Sequence, residues 1–210
     1  LMNTFPKSNY YTESILWLSF CEYSLDRIDS YNNYISKLLD SNKKLNRYQN
    51  YIYNQILAKV SIDKKNTDDV YKYLNLCLKY SSSDSEKINI YNQFINYSEN
   101  INDYNILVDN LEKLYDILED DRDKKNVKLT ALEFHKINKN YSYLITEIER
   151  LLNLSSFNDK RLFLNLELGK IYYQMNDYSS AKQIFYNITS DNSKKKETAE
   201  AFYLLAKINI

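Results

Sequence analysis

Apolar residues recur along the whole chain at the three- and four-residue spacing that is typical of amphipathic helices. The clearest case is the segment 164–189, in which two apolar stretches flank a short polar turn, Met175–Tyr178. The apolar faces of the two stretches carry Leu168, Gly169, Tyr172, Ala181, Phe185 and Ile188. This pattern predicts a helical hairpin in which the small residues Gly169 and Ala181 let the two helices approach closely.

The pattern of this hairpin repeats along the chain at a nearly constant step. Positions equivalent to Gly169 are Ser19, Ala58, Ile95, Leu132 and Ala206. The first step is 39 residues and the later steps are 37 residues. Because such repetition is the signature of a solenoid, we predict an all-α array of about five antiparallel hairpins of ~37 residues plus a terminal helix. The predicted units are 12–50, 51–87, 88–124, 125–161 and 162–198, followed by a final helix at 199–210.

Polar stretches separate the predicted units and mark the joints between them. These joints are Ser41–Lys44, Ser81–Lys87, Asp120–Asn126, Ser155–Lys160 and Ser190–Lys196. No other boundary is evident, so we predict a single solenoid over residues 1–210. The chain lacks an initial Met and stops inside the first helix of a sixth unit, so we expect a fragment of a longer protein. The alternative is that the final helix caps the array.

Leu168, Gly169, Tyr172, Ala181 and Phe185 match the repeat pattern of the tetratricopeptide repeat (TPR) family, and the chain resembles that family over essentially its whole length. The other units keep the apolar character of the pattern but lose its small residues. The resemblance implies a TPR-like α-solenoid in which the first helix of each hairpin lines a concave groove. It also implies that this groove binds a peptide or protein partner.

A narrower resemblance lies at the N-terminus. The run Phe5–Leu18, with Pro6, Tyr10 and Ser14, is similar to the joint between units in bacterial envelope TPR proteins of the BamD and YbgF types. This resemblance implies a bacterial protein of envelope assembly, in the periplasm or associated with the outer membrane. Without it, a cytoplasmic location is expected.

Composition and charge exclude several other classes of protein. The chain has 28 Lys+Arg and 28 Asp+Glu, so its net charge is zero. This argues against a nucleic-acid partner, because a protein that binds nucleic acid needs an excess of basic residues to neutralise the phosphates. One Gly and one Pro argue against a β-sandwich or a Gly-rich phosphate loop. Apolar runs such as Ile15–Leu18 are too short to span a membrane.

The few residues with reactive side chains do not form a catalytic or metal-binding motif. The one histidine, His135, stands where the next unit has Tyr172, and we expect it to pack at the edge of the core. Cys21 and Cys77 fall at apolar positions and are expected to be buried thiols. We therefore expect a protein that is not an enzyme and that holds no cofactor or metal ion.

The candidate partner-binding residues lie on the face of each first helix that is predicted to line the groove. They are Leu16, Phe20, Tyr23, Gln55, Lys59, Asn92, Asn96, Leu129, Glu133, Leu166, Lys170, Tyr173 and Tyr203. Asn92 and Asn96 are one helical turn apart, a spacing that suits hydrogen bonding to an extended peptide. The sequence thus predicts a protein–protein interaction scaffold of unknown oligomeric state. The alternatives are a helical-repeat RNA-binding protein, which would need a basic groove, and a regulatory repeat region attached to an enzyme domain outside this chain.

Overall fold

The computed structural model describes residues 8, 10–40, 44–190 and 195–208. Within these ranges the chain forms eleven α-helices and no strand, and helices adjacent in sequence pack in pairs. The helices are α1 (Tyr11–Ser24), α2 (Ile28–Asp40), α3 (Arg47–Asp63), α4 (Thr67–Tyr80), α5 (Asp84–Asn100), α6 (Tyr104–Ile117), α7 (Asp121–Ile137), α8 (Tyr141–Leu152), α9 (Arg161–Gln174), α10 (Tyr178–Ser190) and α11 (Lys196–Ile208). A 3₁₀ helix, Ser155–Lys160, precedes α9. The all-α prediction is confirmed.

The chain divides into two compact units, Leu1–Asn110 (unit 1) and Leu111–Ile210 (unit 2), and the division falls within α6. The core of unit 1 is built around Ile52, Ile56, Leu74 and other buried side chains of α1 to α5. Unit 2 has one buried cluster that includes Leu144 and Ile148, and another centred on Phe185. In each unit the removal of these apolar side chains from water is the main stabilising contribution.

The turn inside each hairpin has the same backbone conformation. Five residues other than glycine have a positive φ between 55° and 63°, namely Asp26, Lys65, Asn102, Lys139 and Asn176. In the last of these turns, the Asn176 N–H donates to the Tyr173 carbonyl (3.1 Å) and the Asp177 N–H donates to the Tyr172 carbonyl (2.9 Å). The other four turns repeat this pair of bonds, which satisfies carbonyl groups at the helix end. The turns therefore recur at the spacing that the apolar pattern predicts.

Replacing Lys139 with glycine should stabilise unit 2 by about 0.5–1 kcal/mol. A residue with a Cβ atom pays roughly 1–2 kcal/mol in the left-handed region, and this gain exceeds the extra backbone entropy that glycine loses on folding. The measurement is the urea midpoint of the variant against the wild type. Asn102→Gly is the control and should gain less, because asparagine tolerates a positive φ. A lower midpoint for Lys139→Gly would contradict this turn geometry.

Capping residues set the helix starts, and they correct two of the predicted joints. The Ser83 side chain accepts a hydrogen bond from the Glu86 N–H (3.2 Å), and the Asp120 side chain accepts one from the Asp123 N–H (2.9 Å). Helices α5 and α7 consequently begin at Asp84 and Asp121. The predicted joints were too long because their acidic residues belong to the first helical turn, where they interact favourably with the helix dipole.

The other joints follow the prediction more closely. Residues 155–160 form the 3₁₀ helix, and Lys44 lies outside any helix. Residues 41–43 and 191–194 lie outside the described part of the chain. The joints where structure is described are therefore short connections between hairpins.

The two cysteines occupy different environments. Cys77 is fully buried, as expected, and burial raises the pKa of its thiol to about 12. Cys21 is exposed, so the expectation that it packs in the core is wrong. Trp17 lies one helical turn before it on α1, and Leu25 lies four residues after it, directly beyond the end of the helix; both of these side chains are also exposed.

The last helix differs from its predicted bounds. It begins at Lys196, three residues before the predicted start, and it buries Thr198, Ala201 and Leu205. Ala201 and Leu205 belong to the core cluster of Phe185, whereas Phe202, the neighbour of Ala201, is 55% exposed.

Candidate functional site

The candidate residues of unit 1 lie on α1, α3 and α5, the first helices of its hairpins. We call Phe20, Tyr23, Gln55, Lys59, Asn92 and Asn96 the unit 1 surface. Of these, Asn92 and Asn96 are exposed and the other four are half-buried. Leu16 was predicted to belong to this group, but it is fully buried in the core. Since a side chain without exposed area cannot contact a partner in this conformation, Leu16 is removed from the candidate site.

Tyrosine hydroxyl groups connect the three helices beneath the unit 1 surface. The Gln55 amide donates a hydrogen bond to the Tyr51 hydroxyl (3.0 Å), which also bonds to Asn89 on α5. The Tyr23 hydroxyl bonds to Asp63 at the end of α3. Burial and this carboxylate raise the pKa of Tyr23 to about 12, so its hydroxyl remains protonated at neutral pH. These interactions link α1 to α3 and α3 to α5 below the exposed side chains.

The exposed side of the unit 1 surface carries polar groups that the fold does not use. Within the described residues, the Asn92 and Asn96 amides make no hydrogen bond and Lys59 makes no ion pair. Asn100 is exposed one further turn along α5, so three asparagines follow each other at four-residue spacing. Asn100 was not among the predicted residues, although the same spacing could have identified it.

The candidate residues of unit 2 lie on α7, α9 and α11, the first helices of its hairpins and the terminal helix. Glu133 and Tyr203 are exposed, whereas Leu129, Lys170 and Tyr173 are half-buried. Leu166 is only 2% exposed and packs in the core with Ala181 and Phe185, so it is also removed from the candidate site. Only part of the predicted partner-binding set is therefore exposed. The rest is buried because a first helix can also pack against the next first helix.

An alternating row of charges connects the first helices of unit 2. Glu167 accepts hydrogen bonds from Lys136 (2.7 Å) and Lys170 (2.9 Å), and Lys170 also pairs with Glu200 (2.6 Å). We call Lys136, Glu167, Lys170 and Glu200 the charge ladder. Burial alone would raise the pKa of Glu167. The bonds to Lys136 and Lys170 and the charges of these lysines together outweigh burial, so the pKa is lowered. The charges of the ladder are thus compensated within the protein.

A second group of charges lies in unit 2, between α6, α7 and α8, and two of its members, Lys128 and Glu147, are buried. Lys128 is only 4% exposed and pairs with Glu112 (2.5 Å) and Glu147 (2.8 Å). Glu147 also accepts two bonds from Arg150 (2.7 and 2.8 Å), and Glu112 accepts one from the Tyr143 hydroxyl (2.9 Å). Two cations and two carboxylates therefore balance each other. We call these five residues the buried network; no residue pattern in the sequence had indicated it.

His135 adjoins the buried network. Its ring lies against that of Tyr143, with 4.1 Å between the ring centroids. Its Nε2 atom is buried and has no hydrogen-bond partner among the described residues. Burial lowers the pKa of His135, which favours the neutral imidazole. The residue is therefore packed at the edge of the core, where its repeat position had placed it.

The described residues also define the class of protein. They form an all-α chain of sequential helix pairs, consistent with a helical-repeat architecture. No helix in the described ranges has the length and apolar character needed to cross a membrane. Within the same ranges, no group of three or more His, Cys, Asp or Glu side chains is arranged to hold a metal ion. Neither a scan against protein-family models nor a search of curated proteins gives a match for this chain.

Proposed function

We propose that this chain is a TPR-like, non-enzymatic interaction scaffold and that its unit 1 surface binds an extended segment of a partner protein. The observation that carries the proposal is the pair Asn92 and Asn96, which is exposed and makes no hydrogen bond within the described residues. Polar side chains that the fold does not need, held on a rigid helix, are available to a partner.

The spacing of these amides fits the main chain of an extended peptide. Side chains four residues apart on a helix are about 5–6 Å apart at their Cβ atoms, and alternate residues of an extended strand are roughly 6.6 Å apart. Each amide has donors and an acceptor, so it can bond to both the N–H and C=O groups of a peptide. Phe20 and Tyr23 are half-buried at the α1 end of the same surface and provide apolar contacts.

The charge ladder supports assigning the contact to unit 1. A partner that bound Lys170 or Glu167 would have to compete with ion pairs of 2.6–2.9 Å that are already formed. The Asn92 and Asn96 amides of unit 1 make no such bonds, so a partner can bind them without breaking an existing interaction. Leu129, Glu133, Tyr173 and Tyr203 flank the ladder and are assigned no primary role.

A role in bacterial envelope assembly is a further part of the proposal and depends on the run Phe5–Leu18. Residues 5–7 and 9 of that run lie outside the described residues, and the remainder enters α1 at Tyr11. The test is the N-terminus of the mature, full-length protein, determined by intact mass and terminal peptide sequencing. A lipidated cysteine or a cleaved secretory signal would support an envelope location, and an unprocessed Met would overturn it.

The binding proposal is tested by combining Asn92→Ala with Asn96→Ala. Each hydrogen bond contributes about 0.5–1.5 kcal/mol, so the loss of two should weaken partner binding by about tenfold. The measurement is quantitative affinity purification from the source cells, with a photoreactive residue at position 100, the next exposed position along α5, to identify what is in contact. The matched control combines Asn32→Ala with Asn33→Ala, which removes two exposed amides from the second helix α2.

Three results would count against this function. Equal losses in the test and control variants would show that the effect is not specific to the unit 1 surface. Unchanged capture by the Asn92→Ala and Asn96→Ala variant would remove these amides from the site. Capture that nuclease treatment abolishes would favour the RNA-binding alternative.

A further inference from the structure

His135 lies in an environment that fits a neutral imidazole. It is the single histidine of the chain. Its ring lies against the Tyr143 ring at an interplanar angle of 37°, and the buried Nε2 atom has no hydrogen-bond partner among the described residues. An imidazolium ion carries a proton on both ring nitrogens, so protonation would leave one buried N–H group without a partner.

The charges around His135 are already balanced. Glu112 and the Tyr115 ring face this region from α6, Lys128 lies on α7 itself, and α8 contributes Tyr143, Glu147 and Arg150. Both oxygens of each carboxylate accept bonds from Lys128, Arg150 or Tyr143. A positive charge on His135 would therefore be in excess, and a new bond to it would require an existing bond to break.

We propose that His135 is a pH-sensitive element of unit 2, and that its protonation on mild acidification weakens the packing of α7 and α8 against residues 111–117 of α6. The packing is sensitive to pH because a neutral imidazole fits this site and a charged one does not. This inference is independent of the proposed binding function, since it concerns the other unit.

The direction of the effect follows from proton linkage. Burial lowers the pKa of His135 in the folded state, so the unfolded chain binds a proton more readily. The neutral histidine makes its full contribution to the free energy of unfolding at pH values above the ordinary pKa of about 6.5. This contribution falls as the pH decreases towards the pKa of the folded state. Glu147 and Glu167 have lowered pKa values and titrate further from this range.

The first test uses the unmodified chain. Because His135 is the only histidine, its imidazole gives a single set of ring resonances in an NMR titration. We expect a midpoint below about 6.5, with the Tyr143 and Glu147 amides shifting at the same midpoint and those of α3 unaffected. A midpoint at or above 6.5 would overturn the proposal, as would a titration that leaves the α8 amides unchanged.

The second test compares unfolding of the wild type and His135→Tyr. Tyrosine occupies the equivalent position of the next hairpin, at Tyr172, and keeps an aromatic ring against Tyr143. Between about pH 7.5 and about pH 5.5, the unfolding constant of the wild type should rise, by at most about tenfold per pH unit for one proton. The variant should lose this rise, and an equal rise in both would overturn the proposal. If His135→Tyr does not fold, His135→Phe provides the same comparison.

Discussion

Replacing Lys128 with methionine should lower the free energy of unfolding by about 3–5 kcal/mol. Methionine retains the length and apolar stem of the lysine but removes the charge. Glu112 and Glu147 would then be near each other without the cation that joins them at 2.5 and 2.8 Å. The cost is large because the Glu147 side chain, which is 11% exposed, would keep Arg150 as its cation but lose Lys128 without gaining full hydration in exchange. Urea denaturation followed by circular dichroism measures the change.

Lys125→Met is the matched control for this prediction. Lys125 lies on the same helix and pairs with Asp159 at 2.6 Å, but the Asp159 side chain is 58% exposed. Water screens an exposed pair and its contribution to stability is small, so this variant should remain close to the wild type. Adding Glu112→Gln and Glu147→Gln to Lys128→Met should recover part of the lost stability, because the three changes remove the unpaired charges together. Similar losses for Lys128→Met and Lys125→Met would contradict the buried network.

Replacing Gly169 with valine should cost about 3 kcal/mol, because the added atoms have no space. A Cβ atom at Gly169 would lie 2.4 Å from Cε1 and 2.9 Å from Cδ1 of Phe185. Phe185 is fully buried, so its ring cannot turn away into solvent. The expected readout is a lower urea midpoint with the helical spectrum retained.

Gly169→Ala gives a test of sign. In an exposed helix this change stabilises by about 1 kcal/mol, through helix propensity. Here the contact with Phe185 should reverse the sign and make the variant less stable than the wild type. Combining Gly169→Ala with Phe185→Leu should cost less than the sum of the two single changes, since the smaller side chain makes room. A stabilised Gly169→Ala variant would show that the hairpin is not packed this tightly.

The sequence predicted the helices and their order because both depend on local patterns. Apolar residues at helical spacing identify each amphipathic segment, and the spacing of equivalent positions fixes where the hairpins turn. The left-handed residues Lys65, Asn102 and Lys139 follow those positions at a constant offset, as predicted for repeated hairpins. The helix starts were less accurate. Polar residues such as Asp84 and Asp121 are found in joints and in first helical turns alike, and only their capping partners distinguish the two.

The candidate surface could be predicted only in part. Asn92 and Asn96 were assigned to an exposed face of α5, and they are exposed. Leu16 and Leu166 were assigned to the same face of α1 and α9, yet both are buried. Helices α1 and α9 each contact their own partner helix and also another first helix, α3 and α11 respectively. A one-dimensional pattern that assumes a single buried face cannot show this second contact.

The sequence by itself determined an all-α chain of successive hairpins, because helical periodicity and turn geometry involve residues close together in the chain. Only the tertiary structure decided which polar residues pair in the interior. Lys128 is buried because Glu112 and Glu147 reach it from two other helices, 16 and 19 residues away along the chain. Likewise, Gly169 accommodates the ring of Phe185. Such contacts depend on the packing of several helices around one point, which no local pattern specifies.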